Sequence, residues 1–239
     1  MLHPFDMRRL AVLILACSAL VFTSASSQEP SDRLEEILDS FDGVQNSVQT
    51  LSARFTETTT NVMLIDPVVS EGQFFMTKPA AIRWEYSSPE SMQFIIESDT
   101  YTGYFPERKM AETKNIRRWS DHLFRFFGLG QGSGELKKFY RIQLASQQPE
   151  DEILLILEPK RKRARRKVER VNFWINPKSF MPSRIEYATD SGNGRLIVFE
   201  SIQINPDLAA NLYQIDLPSD VEVTNGFSGL PDFDASSAQ

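Results

Sequence analysis

The side chains able to do covalent or metal chemistry in this 239-residue chain are few and scattered. Of two histidines, His3 lies in an N-terminal export signal and only His122 remains, flanked by Trp119 and Phe124. One imidazole cannot build a histidine zinc site, and any nucleophile–histidine pair would have to use it. Cys17 is the only cysteine and also falls within the signal. The carboxylates Glu35-Glu36, Asp151-Glu152 and Asp190 have the setting of solvated surface groups. The glycines from 128 to 134 follow no strand and precede no lysine at phosphate-loop spacing. No catalytic residue, metal or cofactor is therefore expected, and the chain is read as a non-enzyme.

A basic run is the strongest charge feature: Lys160, Arg161, Lys162, Arg163, Arg165, Arg166 and Lys167. The chain has a formal net charge of −6, so the remainder carries −13. Lying between two strand candidates, the run is expected at a hairpin end in solvent, either as a plain solvated loop or as a handle for anionic head groups or an acidic partner. An acidic, exported chain without a stacking motif beside the run is not expected to bind nucleic acid.

The elements around these residues are mostly strands. Arg8 and Arg9, an apolar run over 10–22 and small residues over 23–27 have the order of a cleavable secretory signal, assigned to residues 1–25. The mature protein is then expected in the periplasm. Ile14-Leu15-Ala16-Cys17 loosely matches a lipoprotein cleavage box, but Leu20, Val21 and Phe22 would be left directly after the modified cysteine. Ser31 is placed to cap a helix with apolar Leu34, Ile37, Leu38, Phe41, Val44 and Val48. Alternation then predicts strands over 51–63, 68–77, 80–87, 91–98, 100–106, 109–116, 138–147, 152–160, 167–176, 180–190 and 194–205, with a further short strand or edge over 212–217. The strand over 152–160 reads as buried on both faces. From residue 225 onward, glycine, proline, serine and acidic residues suggest a loose tail, leaving 26–224 as one domain.

Between the two strand sets, Trp119, Leu123, Phe126 and Phe127 share one face of a helix that the glycine run ends. This segment is either a lid or a fixed plug. The architecture expected is mainly β with an α lid (α+β): an unclosed antiparallel half-barrel of about eleven strands covered by helices. Strand parity turns Phe55, Phe74, Met76, Ile82, Trp84, Tyr86, Met92, Phe94 and Ile96 inward, as lining for an apolar cavity. A charge at Phe94 or Trp84 is expected to abolish binding of any apolar ligand in that cavity and leave the protein folded.

Three segments carry a resemblance. Leu51-Ser52-Ala53-Arg54-Phe55-Thr56-Glu57-Thr58, followed by Glu71-Gly72-Gln73-Phe74-Phe75-Met76-Thr77-Lys78-Pro79 and Ile82-Arg83-Trp84-Glu85-Tyr86, resembles the outer-membrane lipoprotein carrier (LolA) family. The resemblance implies a periplasmic shuttle, expected as a monomer, that takes acylated lipoproteins from an inner-membrane ABC transporter complex and passes them to an outer-membrane lipoprotein receptor. It makes Lys78 a lid latch, at a position where many members have arginine, and places the contact with the inner-membrane complex on Ile82. The turn at Ser98-Asp99-Thr100 lacks the usual glycine, and the basic hairpin is unlike the simplest carriers. A non-transporting lipid- or lipoprotein-sensing module of the same fold is the alternative.

Overall fold

The structure is a computed structural model describing residues 30–79, 81–117, 132–166, 168–189 and 192–227. Its basis is one twelve-stranded sheet: β1 (Thr50–Thr60), β2 (Val68–Thr77), β3 (Ala81–Ser88), β4 (Met92–Glu97), β5 (Thr100–Phe105), β6 (Met110–Asn115), β7 (Tyr140–Leu144), β8 (Ile153–Pro159), β9 (Arg170–Ile175), β10 (Pro182–Ala188), β11 (Gly194–Ile204) and β12 (Glu222–Asn225). Among the described residues three α-helices accompany it: α1 (Pro30–Ser47), α2 (Ser133–Phe139) and the single turn α3 (Lys162–Arg165).

Short connections make two antiparallel meanders, β1 to β6 and β7 to β11, joined where β1 pairs with β11. Among the described residues the sheet ends at β7 on one side and β12 on the other, and these two do not pair. Register shifts between Ser52 and Arg54, Glu71 and Gly72, and Pro182 and Arg184 add local twist. That twist coils the sheet around an apolar face.

Helix α1 begins at Pro30, one residue before the serine expected to cap it. It lays Ile37, Leu38 and Phe41 on the sheet, and Phe41 meets Phe173 edge to face at 6.0 Å. Helix α2 occupies residues expected to be glycine-rich linker and the start of a strand, so β7 starts at Tyr140 rather than 138. Its N-terminus is held by α1: Ser133 Oγ donates to Asp42 Oδ2 at 2.7 Å, and Ser133 N donates to Asp42 Oδ1. A carboxylate there satisfies amides that have no partner within the helix.

Three further expectations are corrected. The twelfth strand is not at 212–217, which forms turns and irregular chain, but at Glu222–Asn225, in parallel with β6. The 206–221 segment is tied to the outer face instead, where Arg83 Nη1 donates to Leu212 O at 2.8 Å and the hydroxyls of Tyr213 and Thr77 lie 2.7 Å apart. Second, β8 is buried on one face only: Leu155 and Leu157 are buried, whereas Leu154 and Ile156 are half-exposed. Third, β1 stops at Thr60, so Val62 and Met63 lie outside it. Packed chain also runs past residue 225, since Phe227 meets Tyr101 at 4.6 Å.

Candidate functional site: the concave aromatic face

The inward face follows from register. One row across the sheet joins Ala53, Phe74, Trp84, Phe94 and Gly103 as successive partners, and a parallel row joins Leu51, Met76, Ile82, Ile96 and Tyr101. Partners in adjacent strands point the same way, so both rows share one face. All nine residues expected inward are there: eight are buried at 5% exposure or less, and Met92 packs against them partly buried. Helical cover and strand parity together account for this face.

Its rings touch one another. Trp84 lies 4.7 Å from Phe55 and 4.9 Å from Phe74 between ring centres, and Tyr86 lies 5.0 Å from Phe55. Tilted and edge-to-face arrangements dominate, as ring quadrupoles favour. Phe199 on β11, opposite Phe55, extends the cluster to Phe74 at 6.3 Å and Trp84 at 6.2 Å. On the other side, Tyr101 and Phe105 meet Phe94 at 6.4 and 5.7 Å. These three were missed from sequence, although alternation within Thr100–Phe105 pairs Tyr101 with Gly103 and Phe105 on one side.

Gly72 makes this packing possible. A Cβ there would lie 2.0 Å from Glu85 O and 2.6 Å from Phe55 Cζ, so the Phe55 ring rests on bare backbone. Gly103 plays the same part for Tyr101, whose hydroxyl lies 2.5 Å from where its Cβ would be.

The face also contains a buried carboxylate that sequence reading did not single out. Glu57 is two residues from Phe55 and shares its parity, which is the signal that could have found it. It accepts from Tyr86 Oη at 2.9 Å and Thr59 Oγ1 at 3.3 Å, and pairs with Arg195 Nε at 3.4 Å. Burial first, and then the Glu57 charge, pushes the Tyr86 hydroxyl well above the usual phenol range, so Tyr86 remains a donor. The arrangement neutralises a charge within an apolar wall, and no histidine or cysteine stands beside it among the described residues.

Lys78 stands at the opposite end of β1 and β2 from their connecting turn. Its Nζ donates to Gln45 O at 2.7 Å, in the last turn of α1, and its N–H donates to Gln49 O at 2.8 Å. Loss of solvent lowers the ammonium pKa from its ordinary value. The residue therefore fastens α1 across the sheet. The expected lid residues Trp119, Leu123, Phe126 and Phe127 lie outside the described residues, as do His122 and Lys167.

The expectation for charged variants changes. Phe94 and Trp84 are 3% and 2% exposed, so a carboxylate at either site would be buried without a partner and would cost the fold itself. Among the described residues no cluster of three or more histidine, cysteine or acidic side chains is placed to hold a metal.

A family model described as "Outer membrane lipoprotein carrier protein LolA" matches residues 46–216. An outer-membrane lipoprotein carrier protein of Azotobacter vinelandii (strain DJ / ATCC BAA-1303) is 22% identical over 219 residues, covering 91% of this chain and 99% of that one. An uncharacterized conserved protein from Thermus thermophilus has a solved structure that superposes with a TM-score of 0.52 at 11% identity, covering 81% of this chain and 99% of that one, which is a likeness of fold. The LolA superfamily protein NE2245 from Nitrosomonas europaea gives a TM-score of 0.40 at 12% identity, covering 76% and 97%.

Proposed function

The chain belongs to the LolA family, and from that membership we propose that it is a non-enzymatic periplasmic carrier whose concave face holds the acyl chains of lipoproteins between the inner and outer membranes. The observation that carries this reading is the continuous apolar face from Phe199 through Phe55, Phe74 and Trp84 to Phe94. Removing a long acyl chain from water is worth about 0.8 kcal/mol per methylene, or about 10 kcal/mol in all. That is enough to offset parting several ring contacts of about 1 kcal/mol each.

Because the rings are covered, acyl chains enter as covering segments move aside, and α1 with its Lys78 fastening is one such cover. Release then needs only a receiver that holds the chains more tightly. An inner-membrane ABC transporter complex as donor and an outer-membrane receptor as acceptor complete the reading, with the carrier acting as a monomer.

The ring-to-ring packing also favours a second reading, a non-transporting lipid- or lipoprotein-sensing module. The two separate in a release assay. Inner-membrane vesicles bearing a newly acylated lipoprotein are incubated with the exported protein, and the soluble fraction is probed. A carrier yields a soluble complex that passes its lipoprotein to outer membranes. A sensing module binds detergent-dispersed lipoprotein but leaves the membrane-anchored pool in place, and failure to bind either form overturns both readings.

A further inference from the structure

The rim of the sheet opposite Lys78 carries two features that the cargo reading leaves unused. One is the β1–β2 turn, where Val62, Met63, Leu64 and Ile65 are 64%, 87%, 50% and 100% exposed. The turn is held in shape: Leu64 N donates to Asn61 O at 2.9 Å, Met63 N to Asn61 Oδ1 at 2.9 Å, and Val62 N to Asn193 Oδ1 at 3.0 Å. Val68 and Val69, at 40% and 50%, continue the apolar surface down β2. Four successive large apolar side chains shown to water on a pinned turn mark a contact site rather than loose core.

The other feature is the basic run. Thr60 pairs with Gly194, Ala188 pairs with both Gly194 and Arg170, and Val171 pairs with Leu157. The end of β1, the β10–β11 turn and the β8–β9 connection therefore leave the sheet at one rim. Along that rim Arg161, Lys162, Arg163, Arg165 and Arg166 are exposed, while Lys160 turns back so that its Nζ donates to Lys137 O. Four strand spacings separate the apolar turn from the cations, roughly 19 Å along the sheet.

We infer that this rim docks on a bilayer containing anionic phospholipid, with residues 62–65 entering the acyl region and the 161–166 segment lying on the phosphates. The shape favours a bilayer over a protein groove, because consecutive apolar residues in a tight turn spread around a convex tip instead of forming one face. Charge agrees, since a chain of net charge −6 needs a local cationic surface to approach an anionic membrane, and this run supplies it. Asp66 and Pro67 close the apolar stretch and limit entry to the tip. The docking rim consists of exposed residues outside the concave face and serves with any cargo.

Vesicle flotation tests it with the exported protein, using phosphatidylcholine vesicles with and without phosphatidylglycerol. Wild type is expected to float with the phosphatidylglycerol mixture, to float poorly with phosphatidylcholine alone, and to lose binding as salt is raised. A Met63→Ser/Ile65→Ser variant loses at least about tenfold in partitioning. An Arg161→Gln/Lys162→Gln/Arg165→Gln variant loses about 100-fold, at about fivefold per cation. All share one N-terminus, so the differences isolate the rim. In an Ile65→Trp variant, emission shifts to the blue on these vesicles and is quenched by acyl-brominated lipid. Wild type that ignores the vesicles, variants that float like wild type, or an unmoved Trp emission would each overturn the inference. So would a tip variant whose only change is lost self-association.

Discussion

Two regions of this molecule use the same residue types to opposite ends. Met76 and Ile82 on the concave face are 3% and 2% exposed, whereas Met63 and Ile65 at the β1–β2 turn are 87% and 100% exposed. Inside, each apolar residue has strand partners and ring neighbours that exclude water. At the turn, hydrogen bonds fix the backbone and leave the side chains without cover. Apolar content alone thus says little about role, and the pairing that surrounds a residue decides it.

Truncating residues in both regions separates them most strongly. Ile82→Ala or Met76→Ala should cost about 2–5 kcal/mol in urea unfolding, through lost burial and the space left behind. If either costs less than the matching change at the turn, the concave face is not the packed core described.

Somewhat smaller is Gly72→Ala, at about 1–3 kcal/mol, because the new methyl must displace both the Phe55 ring and the Glu85 backbone. Near-ultraviolet circular dichroism should change with it, reporting the altered aromatic cluster.

The buried phenols add a pH dependence. Burial raises Tyr86 and Tyr187 well above the ordinary phenol value near 10 and pushes Tyr140 up to about 12. A folded-state pKa above the unfolded one means the folded protein holds its proton longer. The contribution is complete below about pH 10 and is lost as pH rises, for Tyr140 between about 10 and 12. Melting temperature should fall over that window as phenolate absorbance appears. Tyr86→Phe should remove part of the alkaline loss and cost about 1–3 kcal/mol at neutral pH, since Glu57 loses a donor.

Lys78→Met should cost about 1 kcal/mol by removing the bond to Gln45 O, with faster amide exchange confined to the last turn of α1. Exchange that rises everywhere would deny Lys78 its role as a local fastening. The smallest change is expected at the turn, where Met63→Ala and Ile65→Ala should stay within about 0.5 kcal/mol of wild type.

The contrast also explains what the sequence made legible. Alternation in Phe74, Met76, Ile82, Trp84, Tyr86, Phe94 and Ile96 places these seven on one buried face, because period two and short turns bring them into register across neighbouring strands. The Glu222–Asn225 strand escapes, since it contains one large apolar residue and owes its existence to parallel pairing with β6, a contact remote in sequence. The β1–β2 tip escapes for the converse reason. Val62 and Met63 read as a continuation of β1 because local propensity cannot register that their strand partners end at Thr60. The resemblance makes Lys78 a lid latch, whereas the bond the fold shows runs to the Gln45 carbonyl in α1, a contact remote in sequence that the resemblance does not indicate.

Whether the concave face holds acyl chains is decided by mass spectrometry of the protein recovered from the periplasm, under native conditions and after extraction into organic solvent. Acylated lipoprotein or lipid is expected bound near one to one, and lost in parallel with a change in intrinsic tryptophan fluorescence that a Trp84→Phe variant lacks when a fatty-acyl competitor is added. An empty protein that also takes up no fatty-acyl probe would contradict the carrier reading.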